Sequence, residues 1–282
     1  MKLTAVATCR NDGYRGDLHL RVPFSINALT ATFDEVIYVD WNSPSGIDLI
    51  TALGDAINKT GKLRVLKVNK AQTDQVTKND PGAPASCGLL GNNMAIRRST
   101  GDWILITSLD SIVPDRASFE KLTADPKIGW VISRHDVDFA ELKQFNAKDI
   151  EVVQRYFREN LPRYGGHGFS GACAGDVWSI LDCCGDFQFF HKDVLFEIRG
   201  YEEEYFYKGY TDSNLNKKAI LAGYPVKPCF DIATMHMSHP GYGFGGTGSR
   251  INDIYGCLIN AGATKNAATW GASPFTLEEF TV

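Results

Sequence analysis

The stretch Gly101-Asp-Trp-Ile-Leu-Ile-Thr-Ser-Leu-Asp110-Ser-Ile-Val-Pro114 decides how this chain is read. Its apolar run from Trp103 to Thr107 has the composition of a buried parallel strand. It delivers one carboxylate, Asp110, just ahead of a turn-forming proline. Open α/β sheets bind their ligands in the crevice beyond the carboxyl ends of such strands. An Asp there either holds a divalent cation against a diphosphate or caps the turn that follows.

Upstream of this strand, helix and strand patterns alternate. Leu3 to Thr8 and Val36 to Asp40 are short β-branched runs separated by the amphipathic stretch Leu18 to Thr32. Ile47 to Asn58 reads as a second helix, Leu63 to Val68 as a third strand and Ser86 to Ser99 as a third helix. This order predicts a Rossmann-like, mostly parallel sheet with right-handed crossovers and helices on both faces. Downstream, Trp130 to Arg134 is strand-like, Asp138 to Arg163 is polar and helical, and a glycine-rich loop covers 165–175. Phe187 to His191 reads as a strand, Asp212 to Ala222 as a helix stopped by Gly223, and Tyr224 to Phe230 as a strand. A second glycine loop spans 240–248, and a helix is expected from Arg250 to Asn260.

With 282 residues, 44% hydrophobic and 22% charged, the chain has the composition of an ordinary globular protein. A net charge of -4 without a long basic run argues against nucleic acid as a partner. Seven cysteines, an odd number with no Cys-x-x-Cys pair and no zinc spacing, fit free thiols in a reducing compartment. No apolar run approaches the roughly 20 residues of a membrane span, and the N-terminus lacks a signal-peptide pattern. The expected location is therefore cytoplasmic, and in that setting the sequon Asn58-Lys-Thr60 marks only a polar turn.

Several side chains gather at expected strand exits. Thr8-Cys-Arg10-Asn-Asp12 brings a hydroxyl, a guanidinium and a carboxylate to the first. Val36-Ile-Tyr-Val-Asp40-Trp-Asn-Ser brings an acid to the second, where it accepts bonds from a base or ribose, or caps a turn. Asn92-Asn93-Met-Ala-Ile-Arg97-Arg98 offers amide donors and positive charge to phosphates, or is a solvated helix face. The literal Gly-x-Gly-x-x-Gly at Gly241 to Gly246 has no strand feeding it and no surrounding βαβ unit, so it is not read as a dinucleotide site. A loop closing over a bound donor is the functional alternative to an inert surface loop.

The ordered set Thr8-Cys-Arg10, Val36 to Ser43, Gly91-Asn-Asn-Met-Ala-Ile-Arg97, Gly101 to Asp110, Gly185-Asp-Phe-Gln188 and Arg199-Gly-Tyr-Glu-Glu203 with Thr211-Asp212 resembles the family-two nucleotide-sugar glycosyltransferases of the GT-A fold. The likeness runs from about Leu3 to His239, with a family-like Trp270-Gly271 in the tail. It implies nucleoside contacts at Thr8, Arg10 and Asp40, with Asn93 and Asp110 completing the donor site. It also implies an Asp-x-Asp motif for Mn²⁺ or Mg²⁺ at the fourth strand, where this chain has Ser108-Leu109-Asp110 and so only the second acid. His236 and His239 stand where related transferases place a further metal ligand, His239 being preferred, and imidazole suits Mn²⁺ better than Mg²⁺. The literal Asp136-Val-Asp138 is a rival metal motif one strand later.

For the chemistry, the resemblance implies Asp212 as the base that deprotonates an acceptor hydroxyl, although a helix N-cap would also place an Asp there. It implies an acceptor floor around Asp186 and Glu203; Trp178 and Tyr210 either stack on a sugar face or are ordinary buried aromatics. The expectation is a single GT-A domain over 1–282. Residues 1–135 form a nucleotide-sugar half, 136–248 an acceptor and catalytic half, and 249–282 a C-terminal helix and tail. The expected activity is inverting transfer from a UDP-sugar or another nucleotide sugar to a hydroxyl of a glycan or other acceptor, with a metal ion. A sugar-1-phosphate nucleotidyltransferase and a catalytically silent nucleotide-sugar or glycan binder are the rivals.

Overall fold

Strands β1 (Leu3–Cys9), β2 (Glu35–Trp41), β3 (Leu63–Val68) and β4 (Trp103–Ile106) are buried almost throughout, the requirement for parallel strands covered on both faces. In the computed structural model, which describes residues 1–13, 16–80, 87–164, 166–167, 185–205, 211–239 and 265–282, they pair in the parallel order β3-β2-β1-β4. Alternation sends Ala5, Ala7, Trp103 and Leu105 into one apolar cluster and Val6, Ile104 and Ile106 into the other. Helix α1 (Leu18–Thr32) covers the first face through Val22, Ile26 and Leu29. The second face is covered by α4 (Gly88–Arg98) through Leu90 and Met94. Between them lie α2 (Leu49–Leu53) and α3 (Lys70–Val76).

Beyond β4 come β5 (Ser111–Ile112), α5 (Arg116–Glu120), β6 (Gly129–Asp138), α6 (Phe139–Leu142), α7 (Ile150–Asn160) and β7 (Gly166–His167). They are followed by β8 (Gln188–His191), α8 (Lys192–Ile198), α9 (Thr211–Leu221), β9 (Val226–Ser238) and β10 (Glu278–Thr281). Among the described residues, all ten strands join one sheet in the order β10-β3-β2-β1-β4-β8-β6-β9-β5, with β7 on β6. β8 runs antiparallel to both β4 and β6, whereas β6 and β9 are parallel. Strands β1, β2, β3, β4, β6 and β9 therefore share one direction, the mostly parallel sheet expected from the sequence. Among the described residues, no helix is long and apolar enough to cross a membrane.

Some elements depart from the sequence pattern. The helix expected over Ile47 to Asn58 is only α2, because Gly54 takes φ +52° and turns the chain into a single 3-10 turn. The strand expected to stop at Phe230 continues to Ser238 after a register shift. The pattern did not reveal α3, α8 or β10. The helix expected from Arg250, the loop at 240–248 and most of the loop at 165–175 lie outside the described residues.

The C-terminal segment lies across the molecule as a strap. β10 pairs antiparallel with β3, and the Arg98 guanidinium donates to the carbonyls of Gly271, Ala272 and Phe275 at 2.7, 3.0 and 3.0 Å. Removing that guanidinium leaves three partly buried carbonyls without their donor. Arg98→Met is expected to cost about 1–3 kcal/mol in urea unfolding and to expose the tail to protease. Unchanged stability and protection would show that the strap is held by β10 alone.

Candidate active site

Asp110 sits between β4 and β5, at the sheet edge where the parallel strands end. Its carbonyl accepts from the Met237 N–H at 2.7 Å, which ties the turn to β9. The Ser108 hydroxyl donates to Asp110 Oδ1 at 2.5 Å and lies 2.7 Å from the Ser111 hydroxyl. Ser108, standing where the resemblance calls for the first acid of the pair, thus fixes the orientation of the one carboxylate present. Asp110 Oδ2 faces Arg21 Nη1 at 3.4 Å, His236 Nε2 at 3.4 Å and His239 Nε2 at 3.3 Å. Ligating atoms of Asp110, His236 and His239 all lie within 4.8 Å of one another.

The sheet register explains this convergence. Asp136 on β6 lies beside His236 on β9, and Ser111 on β5 lies on the other side of the same histidine. Asp136 Oδ1 is 2.8 Å from His236 Nδ1, so the ring presents Nε2 to Asp110. A carboxylate behind a histidine in this way sets its tautomer and aim for metal ligation. Arg134 closes the chain of charges, 3.0 Å from Asp136 Oδ1 and 2.7 Å from Asp186 Oδ2. Asp136-Val-Asp138 is therefore not a paired metal motif. Asp136 is engaged with His236 and Arg134, and the Asp138 side chain accepts from the Ala140 N–H at 2.8 Å as the cap of α6.

Electrostatics follow from the same contacts. Burial disfavours charge on His236, but Asp110 and Asp136 outweigh it and push the ring up to about 9. Burial opposes ionisation of Asp110 too, yet the hydrogen bonds from His236 and His239 hold its carboxyl well below the usual range. Asp136, against the same burial, is held down to about 2 by His236 and Arg134.

One cleft adjoins this cluster and a second lies next to the first. The first, of about 330 Å³, is lined by Thr8, Cys9, Arg10, Asp12, Ser108 and Asp110, among others. Thr8 donates to Asn92 at 2.8 Å, and Arg10 Nε lies 3.2 Å from Asp12. The other, of about 450 Å³, is lined by Asp40, Asn42, Ser43, Lys67 and Asn69, among others. The register pairs Cys9 with Asp40, and the Asn11 N–H donates to the Ser43 hydroxyl at 2.8 Å, so the clefts are neighbours. Asp40 is buried; this raises its pKa, against the lowering effect of the Ser43 and Tyr38 hydroxyls that both donate to Oδ1.

Other expected site residues have structural work. Asn93 is fully buried, donating to the Tyr201 carbonyl at 2.9 Å and to Glu203 Oε1 at 3.1 Å, and accepting from the Tyr201 N–H at 2.8 Å. It belongs to a latch between α4 and the turn after α8 rather than to a phosphate site. Glu203 belongs to the same latch, since its Oε1 also accepts from the Gly271 N–H at 2.7 Å. Asp186 is partnered by Arg134. Asp212 stands in the first turn of α9, half-buried, with its carbonyl accepting from Gln188 Nε2 at 3.0 Å. Gln188 lies beside Ile106, the last residue of β4, which puts Asp212 at the sheet edge that carries Asp110. Trp178 and Tyr210 lie outside the described residues.

The fold as a whole has counterparts among solved structures. A mannosyltransferase, PcManGT from Pyrobaculum calidifontis, in complex with GDP-Man and Mn²⁺, superposes with a TM-score of 0.50 at 18% identity over 86% of this chain. S. aureus TarS 1-349 in complex with UDP gives 0.55 at 13% identity over 94%, and its complex with UDP-GlcNAc 0.55 at 12% over 94%. The fold is that of the GT-A glycosyltransferases. This GT-A chain spans 58% of the mannosyltransferase and 68% of the TarS fragment. No family model and no curated protein matches the sequence.

Two residues at this edge were not singled out from sequence. Arg21 is the only Lys, Arg, Asp or Glu in α1, a visible oddity in a helix without other permanent charges. Gln188 stands in a quoted motif, but only the structure reveals its bonds to Asp212, to Asn216 Oδ1 at 2.7 Å and from the Tyr201 hydroxyl at 2.7 Å.

A charged His236 stabilises the metal-free fold below the ordinary value of 6.5, and that stabilisation is lost as pH rises through about 9. In chelator, the unfolding free energy is expected to fall across this window by at most about 3 kcal/mol. His236→Gln is expected to flatten the slope, and a slope that survives would belong to another group.

Proposed function

We propose that the chain is a glycosyltransferase that moves a sugar from a nucleoside diphosphate, a UDP-sugar by preference, to a hydroxyl of a glycan or other acceptor with inversion. The observation that carries this reading is the Asp110, His236 and His239 cluster at the ligand-binding edge of a GT-A sheet. One carboxylate and two imidazoles form a mixed oxygen and nitrogen set that suits Mn²⁺ better than Mg²⁺. Asp110, His239 and His236 would hold the ion, and when bound it offsets negative charge growing on the departing diphosphate.

The chain's own residues account for the rest. Thr8 and Arg10 line the cleft beside Asp110 and are assigned to the donor. Asp40 takes the base. Its Oδ1 is already committed to Tyr38 and Ser43, and a carboxylate with one remaining oxygen suits the single imide N–H of uracil better than the paired donors of guanine. Asp212 accepts the acceptor's proton as its oxygen bonds to the anomeric carbon and the bond to the diphosphate breaks, the electron pair leaving with phosphate. Asp186, Trp178 and Tyr210 are assigned to the acceptor side.

A thermal-shift screen of UDP- and GDP-sugars with and without Mn²⁺ tests the donor assignment. A UDP-sugar at a hundred times its Kd is expected to add about 2.7 kcal/mol of stability, with less from the GDP-sugar. Metal-dependent binding without any turnover would instead make the chain a silent binder. Asp40→Asn is expected to weaken UDP binding about tenfold or more without lowering Tm, because it removes a buried charge. Asp212→Asn is expected to keep donor binding and lose transfer by about a hundredfold or more. Retained transfer would remove Asp212 from the base role.

A further inference from the structure

Asp110 has a cationic partner that metal binding does not account for. Arg21 is fully buried on α1, with Nη1 3.4 Å from Asp110 Oδ2 and Nη2 donating to the Gly16 carbonyl at 3.1 Å. Its charge is permanent, and burial keeps solvent from screening it. Oδ2 is also the oxygen nearest His236 and His239, so an ion held there sits beside the guanidinium. The local charge count is then unfavourable for a divalent cation alone. Asp110 contributes one negative charge, Arg21 one positive charge, and ligating imidazoles are neutral. Asp136 does not restore the balance, because Arg134 lies 3.0 Å from the same oxygen that faces His236. In the adjoining cleft Arg10 and Asp12 offset one another.

A nucleoside diphosphate changes that count by bringing its own negative oxygens to the ion. We propose that Arg21 is an electrostatic gate on the metal site: it keeps the donor-free protein poor in Mn²⁺ and makes the ion and the diphosphate bind as a coupled pair. The gate rests on the metal reading given under Proposed function. Linkage makes it reciprocal, so Mn²⁺ tightens UDP by the factor by which UDP tightens Mn²⁺. It also gives Arg21 a role separate from catalysis, because its effect is read in binding alone.

The test is titration of Mn²⁺ into the full chain with and without UDP, following free Mn²⁺ by electron paramagnetic resonance. In the wild-type protein UDP is expected to tighten Mn²⁺ by at least about tenfold, and Arg21→Gln to tighten donor-free Mn²⁺ by at least about tenfold while shrinking the coupling with UDP by the same factor. Arg21→Lys, which keeps the charge, is expected to bind donor-free Mn²⁺ as weakly as wild type. Unchanged donor-free affinity in Arg21→Gln overturns the gate, as does tight donor-free binding in Arg21→Lys. Should Arg21→Gln not fold, wild-type protein that binds Mn²⁺ equally with and without UDP overturns it. Mn²⁺ that fails to bind even with UDP present removes the metal reading itself and the gate with it.

Discussion

The 2.8 Å contact between Asp136 and His236 is the interaction on which the site depends. It holds one ring nitrogen of His236 against a carboxylate and so aims the other at Asp110. The contact requires a particular register of β9 on β6. Ile132 lies opposite Cys229 but Ser133 opposite Ala233, so Phe230, Asp231 and Ile232 have no counterparts on β6. Had the first register continued, Asp136 would face Ala233 and no imidazole would reach Asp110. An irregularity that leaves Phe230 54% exposed is thus the device that delivers the histidines, a use of bulges seen beside ligand sites generally.

The charges at this edge explain why a serine, not a further acid, stands beside Asp110. Buried ions are tolerated only when partnered, and here they are arranged in alternating sign from Asp110 through His236, Asp136 and Arg134 to Asp186. A second acid at position 108 would set like charges close together and disfavour ionisation of both. The Ser108 hydroxyl instead donates to Asp110 and keeps it oriented, at no cost in repulsion. With one carboxylate rather than two, Asp110 is matched by the single guanidinium of Arg21 once the imidazoles are neutral.

Much of the first half was legible in the sequence because its signals are local. Continuous apolar runs gave β1 to β4, and the acids at their exits gave Asp40 and Asp110. The second half was less legible because its decisive contacts join distant residues. His236 was flagged only by resemblance, since the bulge at 230–232 interrupts the alternation that would have carried the strand reading onward to Ser238. Asp136 drew attention as one of a pair of acids, and nothing local distinguishes a metal ligand from the carboxylate that aims one. Asn93 and Glu203 were placed with ligands because buried amides and carboxylates look the same in sequence whether they meet substrate or backbone. Arg21 did carry a signal, as the lone permanent charge in α1, but its partner lies 89 residues away.

The latch around Asn93 shows why those polar residues are held back from the ligand. Gly200 takes φ +59°, and an added Cβ there would collide with the Asn93 amide and the Trp270 ring, so this turn must pass close to both α4 and the C-terminal strap. The polar groups at such an approach need partners, and Asn93 and Glu203 supply them for Tyr201 and Gly271. From Tyr201 the connection continues through its hydroxyl to Gln188, and from Gln188 to the carbonyl of Asp212. One buried polar chain therefore ties α4 to the first turn of α9. Because a partly satisfied buried network is costlier than none, each member constrains the next. The spacing between the two clefts and Asp212 is in this way set by buried side chains.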